Sequence, residues 1–180
     1  MINYKKILFI YFLFISTLFS HPHTFIDVYP TIEVKNAKTE TIHFEWVLDD
    51  MSSSMLIMEY DQNGDNVIDK DENYFIYKNY FSIYETSNFY TEIKINDKVQ
   101  TVEPKNFRTT IKDNRIHYSF DIEKNYETKN LTIDFADKDF FHAMILKKEF
   151  VNIKGAKAIV NGVDNDFYFA YRLELKELVK

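Results

Sequence analysis

The chain has 180 residues, a formal charge of −6 and no cysteine. The lack of thiols excludes disulfide-linked partners, zinc–thiolate sites, a lipid-anchored amino terminus and cysteine catalysis. An acidic chain without a basic run argues against nucleic acid and anionic membrane surfaces as partners and favours cations.

The first predicted element is a cleaved export signal over residues 1–20. Lys5 and Lys6 precede an uncharged run at 7–19, which is too short for the roughly twenty apolar residues that span a bilayer. Ser20 is a small residue suited to the position before the cut. Removing this segment takes Lys5 and Lys6 away and moves the formal charge from −6 to −8. Residues 21–180 then make one domain, because three glycines and three prolines mark no linker. The new amino terminus would read His21-Pro22-His23. Its free amine and the imidazoles of His21 and His23 could hold Zn2+, Ni2+ or Cu2+. Pro22 has no amide proton, so it disables the square amide-nitrogen copper site. The plainer reading leaves both histidines as ordinary residues at a strand start.

Most of the remaining chain alternates with a period of two. At 41–48, Ile42, Phe44, Trp46 and Leu48 share one face, and His43 and Glu45 the other. At 115–122, Ile116, Tyr118, Phe120 and Ile122 face inward, and His117 and Asp121 outward. Similar runs lie at 24–34, 89–95, 107–111, 130–135, 142–151, 157–160 and 167–175. Turn formers separate them at Asn96-Asp97, Lys112-Asp113-Asn114, Lys124-Asn125, Gly155 and Asn161-Gly162. This pattern predicts a mainly β fold, an antiparallel β-sandwich filled by aromatic and β-branched residues.

Residues at about 50–82 break the alternation. Met51, Met55 and Met58 recur at helical spacing, with Ser52–Ser54 as capping candidates, and Phe75, Ile76, Asn79 and Tyr80 form a second helical stripe. Between them lies Asp61-Gln62-Asn63-Gly64-Asp65-Asn66-Val67-Ile68-Asp69-Lys70-Asp71-Glu72. Calcium takes six to eight oxygens, and a twelve-residue EF-hand-like loop supplies them from fixed positions. Asp61, Asn63 and Asp65 fill the first, third and fifth. The carbonyl of Val67 serves at the seventh, Asp69 at the ninth and bidentate Glu72 at the twelfth. Asn66 stands at the sixth, where glycine usually makes the sharp turn; asparagine tolerates that left-handed conformation at some cost. The plain alternative is a solvated acidic turn. An isolated loop of this kind would bind Ca2+ at roughly 0.1–1 mM.

His43, His117 and His142 are further candidates to complete a metal site, although lone strand histidines are more often surface or packing residues. No Ser-His-Asp order, glycine-rich phosphate loop or HExxH helix is present.

The opening His21-Pro22-His23-Thr24-Phe25-Ile26-Asp27, the strand end Trp46-Val47-Leu48-Asp49-Asp50, the calcium loop and residues 134–141 together resemble the domain-of-unknown-function 1007 family. The resemblance implies a periplasmic protein that serves an ABC-type transport system, with a link to nickel, cobalt or zinc permeases. Asn66 replaces the glycine usual there. The expectation is therefore an exported calcium-binding accessory protein for metal-ion transport, with no catalytic residues assigned and a membrane permease as partner. Two alternatives stand beside it. One is a calcium-stiffened envelope interaction module without transition-metal carriage, and the other is a copper enzyme built on an amino-terminal histidine brace.

Overall fold

The computed structural model describes residues 24–177. The predicted signal at 1–20, with His21 and His23, lies outside the described residues. Eleven strands among those residues form two sheets, so the fold is mainly β. The first sheet runs β5 (Lys105–Lys112), β6 (Arg115–Ile122), β2 (Lys38–Leu48), β1 (Thr24–Lys35) and β8 (His142–Ile145), with β9 (Asn152–Lys154) also paired to β1. The second runs β10 (Ala156–Asn165), β11 (Tyr168–Glu177), β7 (Leu131–Phe135), β3 (Thr91–Ile95) and β4 (Lys98–Gln100).

Strand alternation decides the inner faces. Ile42, Phe44, Trp46 and Leu48 are buried in β2, as are Ile116, Tyr118, Phe120 and Ile122 in β6. From the second sheet Ile93, Ile133, Phe135 and Leu173 join the same core. Phe44 meets Phe135 edge-on across the two sheets, with ring centroids 5.5 Å apart, a favoured arrangement of ring quadrupoles. Tight turns at Asn36-Ala37, Asn96-Asp97 and Asp113-Asn114 have both residues at positive φ, the backbone that matches strand twist in two-residue hairpins.

The helical insertion stands between β2 and β3. It comprises α1 (Asp50–Tyr60), α2 (Lys70–Ile76), a π-helical turn at Tyr77–Phe81 and a 3-10 stretch at Ser82–Tyr90. Asp49 caps α1 by accepting the Ser52 N–H, so the cap precedes the serines expected to provide it. Ser53 instead ties the helix to the sheet, its hydroxyl oxygen accepting the Ile116 N–H at 3.0 Å. Tyr60 and Tyr118 share a 2.5 Å hydrogen bond between hydroxyls. Phe81 is fully buried against Phe107, Phe120 and Trp46. Asn73 bonds to both the carbonyl of Phe107 and the N–H of Thr109, occupying edge groups that a free β5 would leave open to another chain.

Four expectations need correcting. The sheets are not wholly antiparallel, because β8 and β9 run parallel to β1. The run at 142–151 keeps only His142–Ile145 as strand, and Lys148–Phe150 is a 3-10 turn. The strand expected from 89 begins at Thr91, since Asn88, Phe89 and Tyr90 all have φ near +50°, and the insertion therefore extends to Tyr90. Asn161-Gly162 is not a turn but mid-strand, paired with Arg172 and Tyr171. A Cβ on Gly162 would stand 2.7 Å from the Phe169 ring, so the glycine makes room for an aromatic ring.

Candidate functional site

The loop at 61–72 is knit by its own polar side chains. Asp61 ends α1, its N–H donating to the Ile57 carbonyl. One of its carboxylate oxygens accepts N–H bonds from Gly64 and Asp65 (2.8 and 3.1 Å), and the other accepts from Asn66 (2.8 Å). Asn63 Oδ1 accepts the Asp65 N–H and Asp65 Oδ1 the Val67 N–H. Asn66 takes the left-handed conformation expected at the sixth position, with φ +62°. Ile68 packs on the core.

At the far end Asp69 caps α2, accepting from Asp71 and Glu72, while Glu72 Oε2 reaches back to the Asp69 N–H at 3.0 Å. This reciprocal pair is a capping box. The other oxygen of Glu72 accepts the Gln62 N–H at 2.8 Å, so one buried carboxylate joins the start of the loop to its end. Among the described residues no Lys or Arg pairs with Asp61, Asp65, Asp69 or Glu72. Four like charges with no cation partner repel one another. Asp61 Oδ1 and Asp69 Oδ1 each accept two N–H bonds, while Asp61 Oδ2 and both oxygens of Glu72 accept one each and keep a free lone pair. The donor set is all oxygen, which suits a hard divalent cation. No three His, Asp or Glu side chains stand close enough to hold a metal among the described residues, because these carboxylates point at the N–H groups of the loop.

The three histidines of the described residues each meet a carboxylate. His43 and Asp121 are directly opposed on β2 and β6, with Nδ1 2.7 Å from the carboxylate. His117 Nδ1 stands 2.8 Å from Glu45 on the same face. The pairs cross between strands, unlike the same-strand groupings visible in the sequence, and neither forms a larger cluster. His142 differs because its partner is buried. Asp137 Oδ2 accepts both the main-chain N–H and the Nδ1–H of His142 at 2.9 Å, and Oδ1 accepts the Asp139 N–H. The Tyr84 hydroxyl lies 3.4 Å from Nε2, and the rings of Tyr84 and Tyr90 flank the imidazole at 5.4 and 5.0 Å. Burial, helped by the Asp137 charge, pushes the Tyr84 hydroxyl up to about 12.

The profile described as "Protein of unknown function (DUF1007)" matches residues 6–177. The chain belongs to the DUF1007 family. An uncharacterized protein of Haemophilus influenzae is 27% identical over 143 residues, covering 73% of this chain and 66% of the relative. Of the segments that carry the sequence resemblance, the described residues at 24–27, the strand end at 46–50 and the stretch at 134–141 meet at one end of the first sheet. Asp49 accepts the Phe25 N–H at 2.8 Å, and Arg115 lies 3.5 Å from Asp27 and 3.4 Å from Asp50. Burial alone would raise the Asp49 carboxyl. Hydrogen bonds from Ser52, Phe25 and Met51 outweigh it and hold the group below its ordinary value. Thr24 is in register with His142, and its N–H donates to the Phe141 carbonyl. A cavity of about 320 Å³ opens beside this junction, lined by Phe25, Asp137, Phe140, His142 and Phe169 among others.

Sequence reasoning named His142 but missed Asp137, Tyr84 and Tyr90. Asp137 lies five residues before His142 across a turn, a spacing with no helix or strand period. The two tyrosines come from a stretch whose left-handed backbone no simple pattern announces.

Proposed function

We propose that this chain is an exported, periplasmic calcium-binding accessory protein that serves metal-ion transport across the envelope. The observation that carries the reading is the loop at 61–72. Its oxygen-bearing side chains occupy the EF-hand order, Asn66 supplies the left-handed sixth position and Glu72 clamps both ends. Rotation of the carboxylates would let their free lone pairs share one ion, and Ca2+ would relieve the repulsion among them. Asp61, Asn63, Asp65, the Val67 carbonyl, Asp69 and Glu72 would hold it. The contact of Phe44 with Phe135 supports a sandwich reading of the two sheets, against which calcium would lock the insertion. His21 and His23 would capture or hand over the transition metal.

Thermal melts in chelator, in millimolar Mg2+ and in millimolar Ca2+ test the calcium step. The reading expects a rise specific to Ca2+, and identical melts in all three refute it. A second reading, the calcium-stiffened interaction module, draws on exposed apolar side chains of the insertion. Met51, Met55 and Met58 are 67%, 57% and 80% exposed along α1, more than a covered stripe would show. Crosslinking in cells that depends on these methionines but survives loss of His21 and His23 favours that reading.

A further inference from the structure

We propose that Asn63-Gly64 is a site of spontaneous covalent modification, at which the loop converts Asn63 to aspartate or isoaspartate with Asp61 as the base. The chemistry needs no bound ion. Its consequence for the loop rests on the reading that the loop takes calcium.

Two of the three glycines in the chain follow an asparagine, at Asn63-Gly64 and Asn161-Gly162. Asparagine is a thermolabile residue, because the main-chain nitrogen of the next residue can attack its side-chain amide carbon and close a cyclic imide. Glycine in that next place has no Cβ to obstruct the close approach. The two dipeptides therefore share one intrinsic reactivity, and the fold treats them in opposite ways.

At Asn63-Gly64 both residues are exposed, and a Cβ on Gly64 would meet nothing within 4 Å, so the space that the ring needs is open. The reacting groups already face suitable neighbours. The Gly64 N–H donates to Asp61 Oδ1 at 2.8 Å, which puts a carboxylate in reach of the proton that the nucleophile must lose. Asn63 Oδ1 accepts the Asp65 N–H at 2.9 Å, a main-chain donor set on the oxygen that gains negative charge as the ring closes. The departing Nδ2 holds no hydrogen bond among the described residues.

In the step itself Asp61 takes the Gly64 amide proton as the nitrogen bonds to Cγ of Asn63. The Cγ–Nδ2 bond breaks, and ammonia leaves with that proton. Water then opens the imide at either carbonyl. One opening leaves aspartate at 63; the other leaves isoaspartate, in which the main chain runs through the side-chain carbon.

Asn161-Gly162 has none of this freedom. It lies mid-strand in β10, with Asn161 opposite Arg172 and Gly162 opposite Tyr171. Asn161 Nδ2 donates to Glu174 at 3.4 Å, and the Phe169 ring fills the space beside Gly162. Ring closure there requires the strand pairing to open first, and that opening free energy slows the reaction.

Either product adds a negative charge to a loop that already holds Asp61, Asp65, Asp69 and Glu72. Aspartate at the third position would offer calcium a charged oxygen in place of a neutral one. Isoaspartate lengthens the main chain by one carbon and would displace the ligands that follow. Calcium in turn would draw Asp61 away from the Gly64 N–H and slow the modification.

The test holds the expressed chain at neutral pH in chelator, in millimolar Ca2+ and in urea. Peptide mass spectrometry follows both asparagines, and isoaspartyl methyltransferase labelling counts isoaspartate. Urea exposes both dipeptides and gives their intrinsic rate. In chelator Asn63 should react at least as fast as in urea, and Asn161 at least about tenfold more slowly. Asp61→Asn should slow Asn63 several-fold, and the comparison within the unaltered chain stands even where that variant fails to fold. Asn63 that stays an amide in chelator while it reacts in urea overturns the proposal, as does equal loss at Asn63 and Asn161. A folded Asp61→Asn that reacts at the unaltered rate removes Asp61 as the base. Ca2+ should slow Asn63 relative to chelator; equal rates in the two would count against the calcium reading and leave the modification standing.

Discussion

Glu72→Gln removes one charge while keeping the size of the side chain, at the point where the loop is tied to itself. Glu72 is 5% exposed and accepts N–H bonds from Gln62 at 2.8 Å and Asp69 at 3.0 Å. The glutamine carbonyl can keep one of these bonds. Its amide group then faces the other N–H, donor against donor. Gln62 and Asp69 are exposed residues, so water can reach the unpaired N–H and the loss falls at the low end of the about 1–3 kcal/mol that a buried donor would cost, while the retained bond weakens to roughly half without the charge. Relief of part of the repulsion among the loop carboxylates offsets some of this loss, so the variant should be about 1 kcal/mol less stable than the unaltered chain in chelator. Calcium adds a second difference. At a hundredfold excess over its dissociation constant, Ca2+ stabilises a chain that binds it only when folded by about 2.7 kcal/mol. The variant lacks the bidentate ligand and should gain little. Urea denaturation of both proteins, with and without Ca2+, separates the two terms. Equal calcium stabilisation in both would show that Glu72 is not a ligand, and equal stability in chelator would show that the clamp is energetically idle.

Asn66→Gly should tighten Ca2+ several-fold in a calcium titration, because glycine adopts the φ of +62° without steric cost. Gly155→Ala should destabilise by at least about 2 kcal/mol in urea denaturation, since its φ is +83° and the new Cβ would stand 2.0 Å from the Val34 carbonyl oxygen. Asp134→Asn should cost about 2–3 kcal/mol at neutral pH, below the figure for a fully buried pair because Arg172 and Lys94 remain partly exposed. Burial alone would raise the Asp134 carboxyl, but hydrogen bonds from Arg172 and Lys94 hold it below its ordinary value. A group depressed on folding contributes fully above its unfolded value near 3.9 and loses that contribution as pH falls through the lower folded value. Denaturation at pH 7 and at successively lower pH below 4 should show the gap between Asp134→Asn and the unaltered chain closing in acid.

The sheets were legible in the sequence wherever one face of a strand meets the core and the other meets solvent. Strand β6 matches the alternation of 115–122 to the residue, because Ile116, Tyr118, Phe120 and Ile122 had no other place to go. Legibility failed where a residue serves a neighbour distant in sequence. Gly162 reads as a turn former, yet it lies beneath Phe169 of the next strand. Phe89 and Tyr90 read as strand, yet the hydrogen bonds of Asn88 to Thr91, Gln100 and Val102 fix a left-handed path before β3 can begin. The turn at 61–72 was legible as a polar break between two helices because its side chains bond locally, Asp61, Asn63, Asp65 and Asp69 each accepting N–H groups within five residues. The Asp137–His142 pair was not, since it closes across a turn of five residues, a spacing that matches neither helix nor strand period.

Direct calorimetric titration of the chain with Ca2+, paired with Asp61→Asn, is the measurement closest to the calcium proposal. One ion per chain with a dissociation constant of roughly 0.1–1 mM, and no heat in Asp61→Asn, is the predicted result. Equal heats in the two proteins, or none in either, would contradict it.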